Sequence, residues 1–246
     1  MKTKRIPVNK ITELQLKSLF ELMERYYSGM FIEQFIQDFK SKDEVILLLS
    51  NEEKIVGFST VQKMELTIED KKVLALFSGD TVLEKEFWGN GALGFAFARY
   101  LVRVKIQNMW TPTYWFLISK GYKTYLLMTN NFSCHFPRYD KKTPDDIQDL
   151  MDKFYRARYF DSYVQKSGTI HPQKGNVFLK VDVAEIDQNM LLMQPKIKFF
   201  NETNPKWREG AELACIARVD VSIPLKYVFK RCKKIFILKK EERLPE

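Results

Sequence analysis

Two histidines and three cysteines are the whole supply of soft or borderline metal ligands in this 246-residue chain. The cysteines, Cys134, Cys215 and Cys232, are far apart, odd in number and form no C-x-x-C pair. That excludes a disulfide framework and fits a reducing compartment, so a cytoplasmic location is expected. With only His135 and His171 to join them, no metal site is expected. Ten glycines and nine prolines, none in runs, exclude collagen-like and low-complexity structure. The longest apolar-rich stretch, residues 91–102, is interrupted by Arg99 and is too short to span a bilayer. The basic start, Met1 to Pro7, is followed by no apolar core of a signal peptide. No transmembrane segment or leader is therefore expected.

What the chain does contain is apolar and aromatic material, 45% and 14% of its residues, enough for a sizeable core. No repeat or linker-like shift in composition divides it. The expectation is one domain over residues 1–221, with residues 222–246 forming a basic amphipathic C-terminal helix packed on it. In that segment Lys226, Lys230, Arg231, Lys233 and Lys234 fall on one side of a helix and Leu225, Val228, Phe229, Cys232 and Ile235 on the other. The basic side is either a solvated face or a patch that steers an acidic partner. The net charge of +9 favours acidic partners generally. Basic and aromatic residues do not interleave as in a nucleic-acid module, so nucleic acid is the disfavoured partner.

Thr12 and Gln15 form a capping-box signature for a helix with Leu16, Leu19, Phe20 and Met23 on its inner face. Gly29 ends it, and Phe31, Ile32, Phe35, Ile36 and Phe39 predict a second helix. Residues 45–49 and 54–64 predict a strand hairpin, with a further turn region over 63–72. Residues 73–83 predict a third strand, with Gly79 inside it marking a bulge or a close backbone approach. Residues 92–109 predict a largely buried helix. Thr111 and Pro112 suggest the start of a short helix to Lys120, followed by a strand over 124–129. A loop over 130–142 leads to a helix opened by Thr143, Pro144, Asp145 and Asp146. Residues 196–200 and 213–221 predict a closing strand pair.

The segment that carries chemistry is Thr81, Val82, Leu83, then Trp88, Gly89, Asn90, Gly91, Ala92, Leu93 and Gly94. A strand enters a glycine-containing turn and then an apolar helix. Unpaired N–H groups at such a helix start can cradle a phosphate, and glycines permit its close approach. A plain strand-to-helix turn, with glycine supplying a left-handed residue, is the alternative.

The order of elements, with this turn at residues 82–94, resembles the GNAT (Gcn5-related N-acetyltransferase) superfamily over roughly residues 5–221. Val82 takes the place of that family's strand Val and Gly91 that of its central glycine. Trp88 stands where Gln or Arg is expected, and Leu93 where a small residue is expected. The resemblance implies an α/β fold of the GNAT type: a mixed central sheet, antiparallel meander plus a parallel splayed pair, flanked by helices. It implies acyl transfer from a pantetheine thioester, acyl-CoA or an acyl carrier protein, to an amine or hydroxyl of a small-molecule or peptide acceptor. Thr81, Val82, Leu83, Trp88, Gly89, Asn90, Gly91, Ala92 and Asn130 would bind the donor. Asp80, an acid in an apolar strand, is the candidate base, or else a strand-end Asp holding the bulge. Tyr139 and His135 are loop candidates for the acid that meets the leaving thiolate, and Tyr155 is a packing residue as readily as an acid. A GNAT-fold module that binds an acidic carrier, nucleic acid or membrane without catalysis is the alternative reading.

Overall fold

The computed structural model describes residues 1–68, 71–172 and 177–221. The expected C-terminal helix, with Cys232, lies outside the described residues. The central sheet is mixed. Its main strands are β1 (Lys2–Pro7), β2 (Glu44–Leu49), β3 (Ile55–Ile68), β4 (Lys71–Ser78), β5 (Thr81–Leu83), β6 (Thr113–Ser119) and β7 (Glu212–Arg218). They lie in the order β1-β2-β3-β4-β6-β7, extended by the two short strands Thr169–Ile170 and Tyr163–Val164, while β5 pairs with β3. Among these main strands the pairings are antiparallel except β4 with β6, which run parallel. This is the antiparallel meander with one parallel pair that the resemblance implies.

Strand alternation divides the core into two faces. On one, Leu74, Leu76, Trp115, Leu117 and Cys215 pack against α3 (Ala92–Gln107), which contributes Leu93, Phe97 and Leu101. On the other, Val73, Ala75, Phe77, Phe116 and Ile216 meet Leu150, Met151 and Phe154 of a helix over Asp145–Tyr159. That second face continues under α1 (Glu13–Tyr26) and α2 (Ile32–Lys40), whose Leu19, Phe20, Phe35 and Phe39 cover Leu47, Phe58 and Val82. The capping box at Thr12 and Gln15 forms as expected, with both reciprocal bonds present.

Three expected elements exchange type. Residues 113–119 form a strand, not a helix, and residues 122–131 form a helix (α4, Tyr122–Asn131), not a strand. Tyr114 to Ile118 is a run of aromatic and branched residues, the signature of a central strand covered on both faces. In α4, Tyr125, Met128 and Thr129 are the buried positions, at i, i+3 and i+4 spacing. Residues 196–200 belong to a helix, Pro195–Thr203, with the proline in its first turn, so β7 has β6 as its long partner. The expected turn region 63–72 is shorter than read: β3 continues to Ile68 and β4 starts at Lys71. Loop 130–142 holds the end of α4 and a two-residue strand, His135–Phe136, on the edge of β7.

Candidate active site

The continuous strand expected over 73–83 is two strands with a jog at Gly79 and Asp80. β4 pairs with the far half of β3, Gln62 to Ile68, and β5 with its near half, Gly57 to Ser59. The parallel pairing of β4 with β6 ends at Ser78 and Leu117. Beyond that point β5 follows β3 while β6 continues along β7, so the two strands separate. Gly79 permits a close approach there: a Cβ on it would stand 2.9 Å from Lys42 Cε.

The splay gives β5 a free edge. Glu84 N donates to Val56 O and Thr60 N donates to Asp80 O, so residues 80, 82 and 84 face β3. The backbone groups of Thr81 and Leu83 consequently turn toward the gap. One of them is taken: Trp88 Nε1 donates to Leu83 O at 2.7 Å.

A cavity of about 460 Å³ opens from the gap on the α3 side, within the range of small-molecule sites. Its walls include Thr81, Leu83, Trp88, Gly91, Phe97 and Lys123. Val82 and Gly89 also line it. Gly89 and Gly91 have φ of 79° and 73°, left-handed values that favour glycine. Gly91 caps α3 without a side-chain bond to the helix. Asn90 Oδ1 accepts from Ala92 N at 2.8 Å, which leaves the N–H groups of Leu93 and Gly94 as the unpaired donors of the first turn. Lys123 adds charge at this mouth. Its Nζ lies 3.7 Å from the centre of the Trp88 ring and donates to Val183 O at 2.5 Å. Burial, and then Lys85, lower its pKa. Glu84 shapes the turn from outside, accepting from Tyr26 Oη at 2.7 Å and from Arg25.

A second cavity of about 280 Å³ lies on the opposite face, between α1, α2 and the end of the Asp145–Tyr159 helix. Gly79, Thr81, Ile118 and Thr124 line both cavities, so the two meet through the splay. Apolar walls come from Met23, Met30, Phe35 and Phe77. Asp80 projects into this side. Its backbone N–H donates to Thr60 Oγ1 at 3.1 Å, while its Oδ2 is buried without a hydrogen-bond partner. Burial, and then the charge of Asp38, push the Asp80 carboxyl up to about 6, against the pull of Lys42. Lys42 is held by Asp38 Oδ1 at 2.6 Å, and Lys120 faces Glu212 at 3.5 Å. Arg158 stacks 4.2 Å from the Phe77 ring centre, and its Nε is also buried without a partner.

Asp80, Thr81, Val82, Leu83, Trp88, Gly89, Gly91 and the turn residues Asn90 and Ala92 therefore come together around the splay. His135, Tyr139 and Asn130 do not. They line a separate cavity of about 480 Å³ at the C-terminal end of α4, where Asn130 Oδ1 accepts from Lys196 Nζ at 2.7 Å. Thr124, which lines the splay, is six residues and about 9 Å along α4 from Asn130. His135 Nδ1 is 2.6 Å from Phe132 O, and burial lowers its pKa. Tyr155 is fully buried, its hydroxyl bridging Leu117 O at 2.8 Å and Cys215 N at 3.2 Å. Asp38, Lys42, Lys120, Lys123, Arg158 and Glu212 had no local signal, since each is brought to the splay by a long-range contact.

The element order and the splayed parallel pair are those that the resemblance implies for the fold. No protein-family model matches the chain, and no curated protein matches it in sequence. Solved structures are similar at low identity. Escherichia coli ElaA is 15% identical, with 54% of this chain and 87% of that protein covered and a TM-score of 0.38. Glucosamine-6-phosphate N-acetyltransferase from Arabidopsis thaliana is 16% identical, with 48% and 82% covered and a TM-score of 0.35. A conserved protein of Enterococcus faecalis is 13% identical with a TM-score of 0.38; 51% of this chain is covered, and the chain spans 31% of that protein's length. Among the described residues, no helix is long and apolar enough to cross a membrane, and no group of three or more His, Cys, Asp or Glu residues has the geometry to hold a metal.

Proposed function

We propose that this chain is an acyltransferase that takes an acyl group from a pantetheine thioester and delivers it to an amine by direct attack. The observation that carries the reading is the pair of cavities that meet through the splay, with Asp80 on one side and the phosphate-type turn on the other. The donor arm enters from the α3 side. Its phosphate rests on the Leu93 and Gly94 N–H groups beside Lys123, where helix dipole and ammonium act together. Its amides pair with the free edge of β5 at Thr81 and at the Leu83 N–H. The acceptor enters from the α1–α2 side, and Asp80 takes its proton as the nitrogen attacks the thioester carbonyl. The tetrahedral intermediate then collapses with cleavage of the C–S bond, and pantetheine leaves as a thiolate that takes a proton from water.

The chemistry of the acceptor cavity favours an amine with a neighbouring oxygen. Asp80 Oδ2 is an unused acceptor and Arg158 Nε an unused donor on the same wall system. Coenzyme A and a carrier-borne phosphopantetheine share the part of the donor that this site engages, and either is accommodated by the reading. The second reading, a GNAT-fold binding module without catalysis, is favoured by Trp88, whose indole occupies Leu83 O.

Thermal shift and calorimetry with acetyl-CoA, a long-chain acyl-CoA and phosphopantetheine test the donor site. Saturable stabilisation by at least one of them is expected, and a null result with all three would sink the donor reading. Loss of transfer in Asp80→Asn with donor binding retained separates the enzyme from the module.

A further inference from the structure

A further charged pocket lies along α3 and shares no lining residue with the cavities at the splay. It encloses about 170 Å³ between α3 and the edge strand β1. Ala96, Arg99, Tyr100 and Arg103 present one face of α3, at i, i+3, i+4 and i+7. Thr3 and Arg5 face them from β1. Arg5 lies 5.8 Å and Lys63 5.7 Å from the centre of the Tyr100 ring, which is thus set between two cations.

The charges here do not balance within the described residues. Glu44 meets Arg5 at 3.5 Å and Lys63 at 3.3 Å, and Asp43 is the other carboxylate whose charge reaches Tyr100. Arg99 and Arg103 have no ion-pair partner among the described residues. Tyr100 also lines the pocket. It is 4% exposed, and its hydroxyl is buried with no hydrogen-bond partner.

We propose that this pocket binds the phosphoryl group of a small-molecule phosphate monoester. Two guanidiniums one helical turn apart offer N–H donors that suit a tetrahedral dianion, and Arg5 adds a third cation from β1. A small ligand is favoured over a macromolecule. The volume admits one phosphoryl group, and no exposed aromatic lines the pocket to stack a base. Nor does any exposed large apolar side chain line it to enter a bilayer.

The test uses the full chain, with inorganic phosphate as probe and ionic strength held constant with chloride. Calorimetry is expected to show saturable binding that falls at least about tenfold in the Arg99→Gln, Arg103→Gln double variant. Both side chains are exposed, so folding is not at stake. Tyr100→Phe is expected to weaken binding to a smaller degree. Lys123→Gln, at the donor turn that itself receives a phosphate, is expected to leave the Arg99- and Arg103-dependent binding in place. The proposal is overturned if phosphate gives no saturable heat, if the double variant binds as the parent does, or if Lys123→Gln abolishes the response. Two further arms separate the sources. Vesicles of phosphatidylcholine and phosphatidic acid, and a short single-stranded RNA, are expected not to retain the protein. Retention on either that depends on Arg99 and Arg103 overturns the small-molecule assignment.

Discussion

The Trp88 indole donates to the Leu83 carbonyl at 2.7 Å, and that bond removes one of the backbone groups β5 turns toward the splay. Trp88 also packs against Tyr26, with ring centres 5.9 Å apart and planes tilted by 45°, and under Lys123, so three groups hold it. Trp88→Phe keeps an aromatic ring for both neighbours and frees Leu83 O. A pantetheine amide N–H could then use that acceptor, a gain of about 0.5–1.5 kcal/mol or up to roughly tenfold in affinity. Calorimetry with acetyl-CoA is expected to show tighter binding in Trp88→Phe than in the parent. Weaker binding would mean that the indole is itself part of the donor's wall.

Asp80 predicts a pH dependence with a definite sign. Its carboxyl is pushed up to about 6, and as a base it works only when ionised. Transfer is therefore expected to rise with pH through about 6 and level off above it. Stability moves the other way. A carboxyl whose folded pKa is above its unfolded value favours the folded state in its protonated form. That contribution is fully present below the unfolded pKa, near 4, and is lost as pH rises through about 6. Asp80→Asn is expected to be inactive yet more stable than the parent at pH 7, by on the order of 1–2 kcal/mol, in urea unfolding. A variant with normal activity removes Asp80 from the mechanism.

Much of the fold was legible because periodicity and caps speak locally. Thr12 with Gln15, Gly29, and the Gly89–Gly91 turn each announce a boundary through their own chemistry. The exchange of type between residues 113–119 and 122–131 has a physical reason too. A strand covered on both faces loses the alternation that distinguishes it, and the Thr111–Pro112 pair imitates a helix start without making one. The site was legible on β5 and its turn, where function and backbone geometry coincide. It was illegible at Asp38, Lys42, Arg158 and Glu212, because these meet Asp80 only through tertiary packing of elements distant in sequence. The pull toward His135 and Tyr139 came from placing the second splayed strand one element too late.

Tyr155 separates a structural tyrosine from a proton donor. Its hydroxyl lies 2.8 Å from Leu117 O and 2.7 Å from Cys215 O and accepts from Cys215 N at 3.2 Å, at the paired residues of β6 and β7 where the splay begins. Tyr155→Phe removes the buried hydrogen bonds that this hydroxyl makes to both strands, at a cost of about 1–3 kcal/mol. The expected result is a lower urea midpoint, with transfer per folded molecule and its pH profile unchanged. A selective loss of transfer in a well-folded Tyr155→Phe would instead make it the acid.

Gly79→Ala tests the jog that joins the two cavities. The added Cβ would stand 2.9 Å from Lys42 Cε and 3.4 Å from Thr60 Oγ1 and Phe77 Cε1. Thr60 and Phe77 are core residues that cannot yield, so the displacement falls on Lys42, whose side chain is fully buried. Overpacking of this kind costs about 1–3 kcal/mol. The chemical consequence is more specific. Lys42 is the cation that opposes the upward shift of Asp80, so moving it away raises the Asp80 pKa further. The pH at which transfer reaches half its plateau is therefore expected to move upward in Gly79→Ala, with the plateau itself retained. An unchanged midpoint, in a variant destabilised as expected, would show that Lys42 does not set the charge of Asp80.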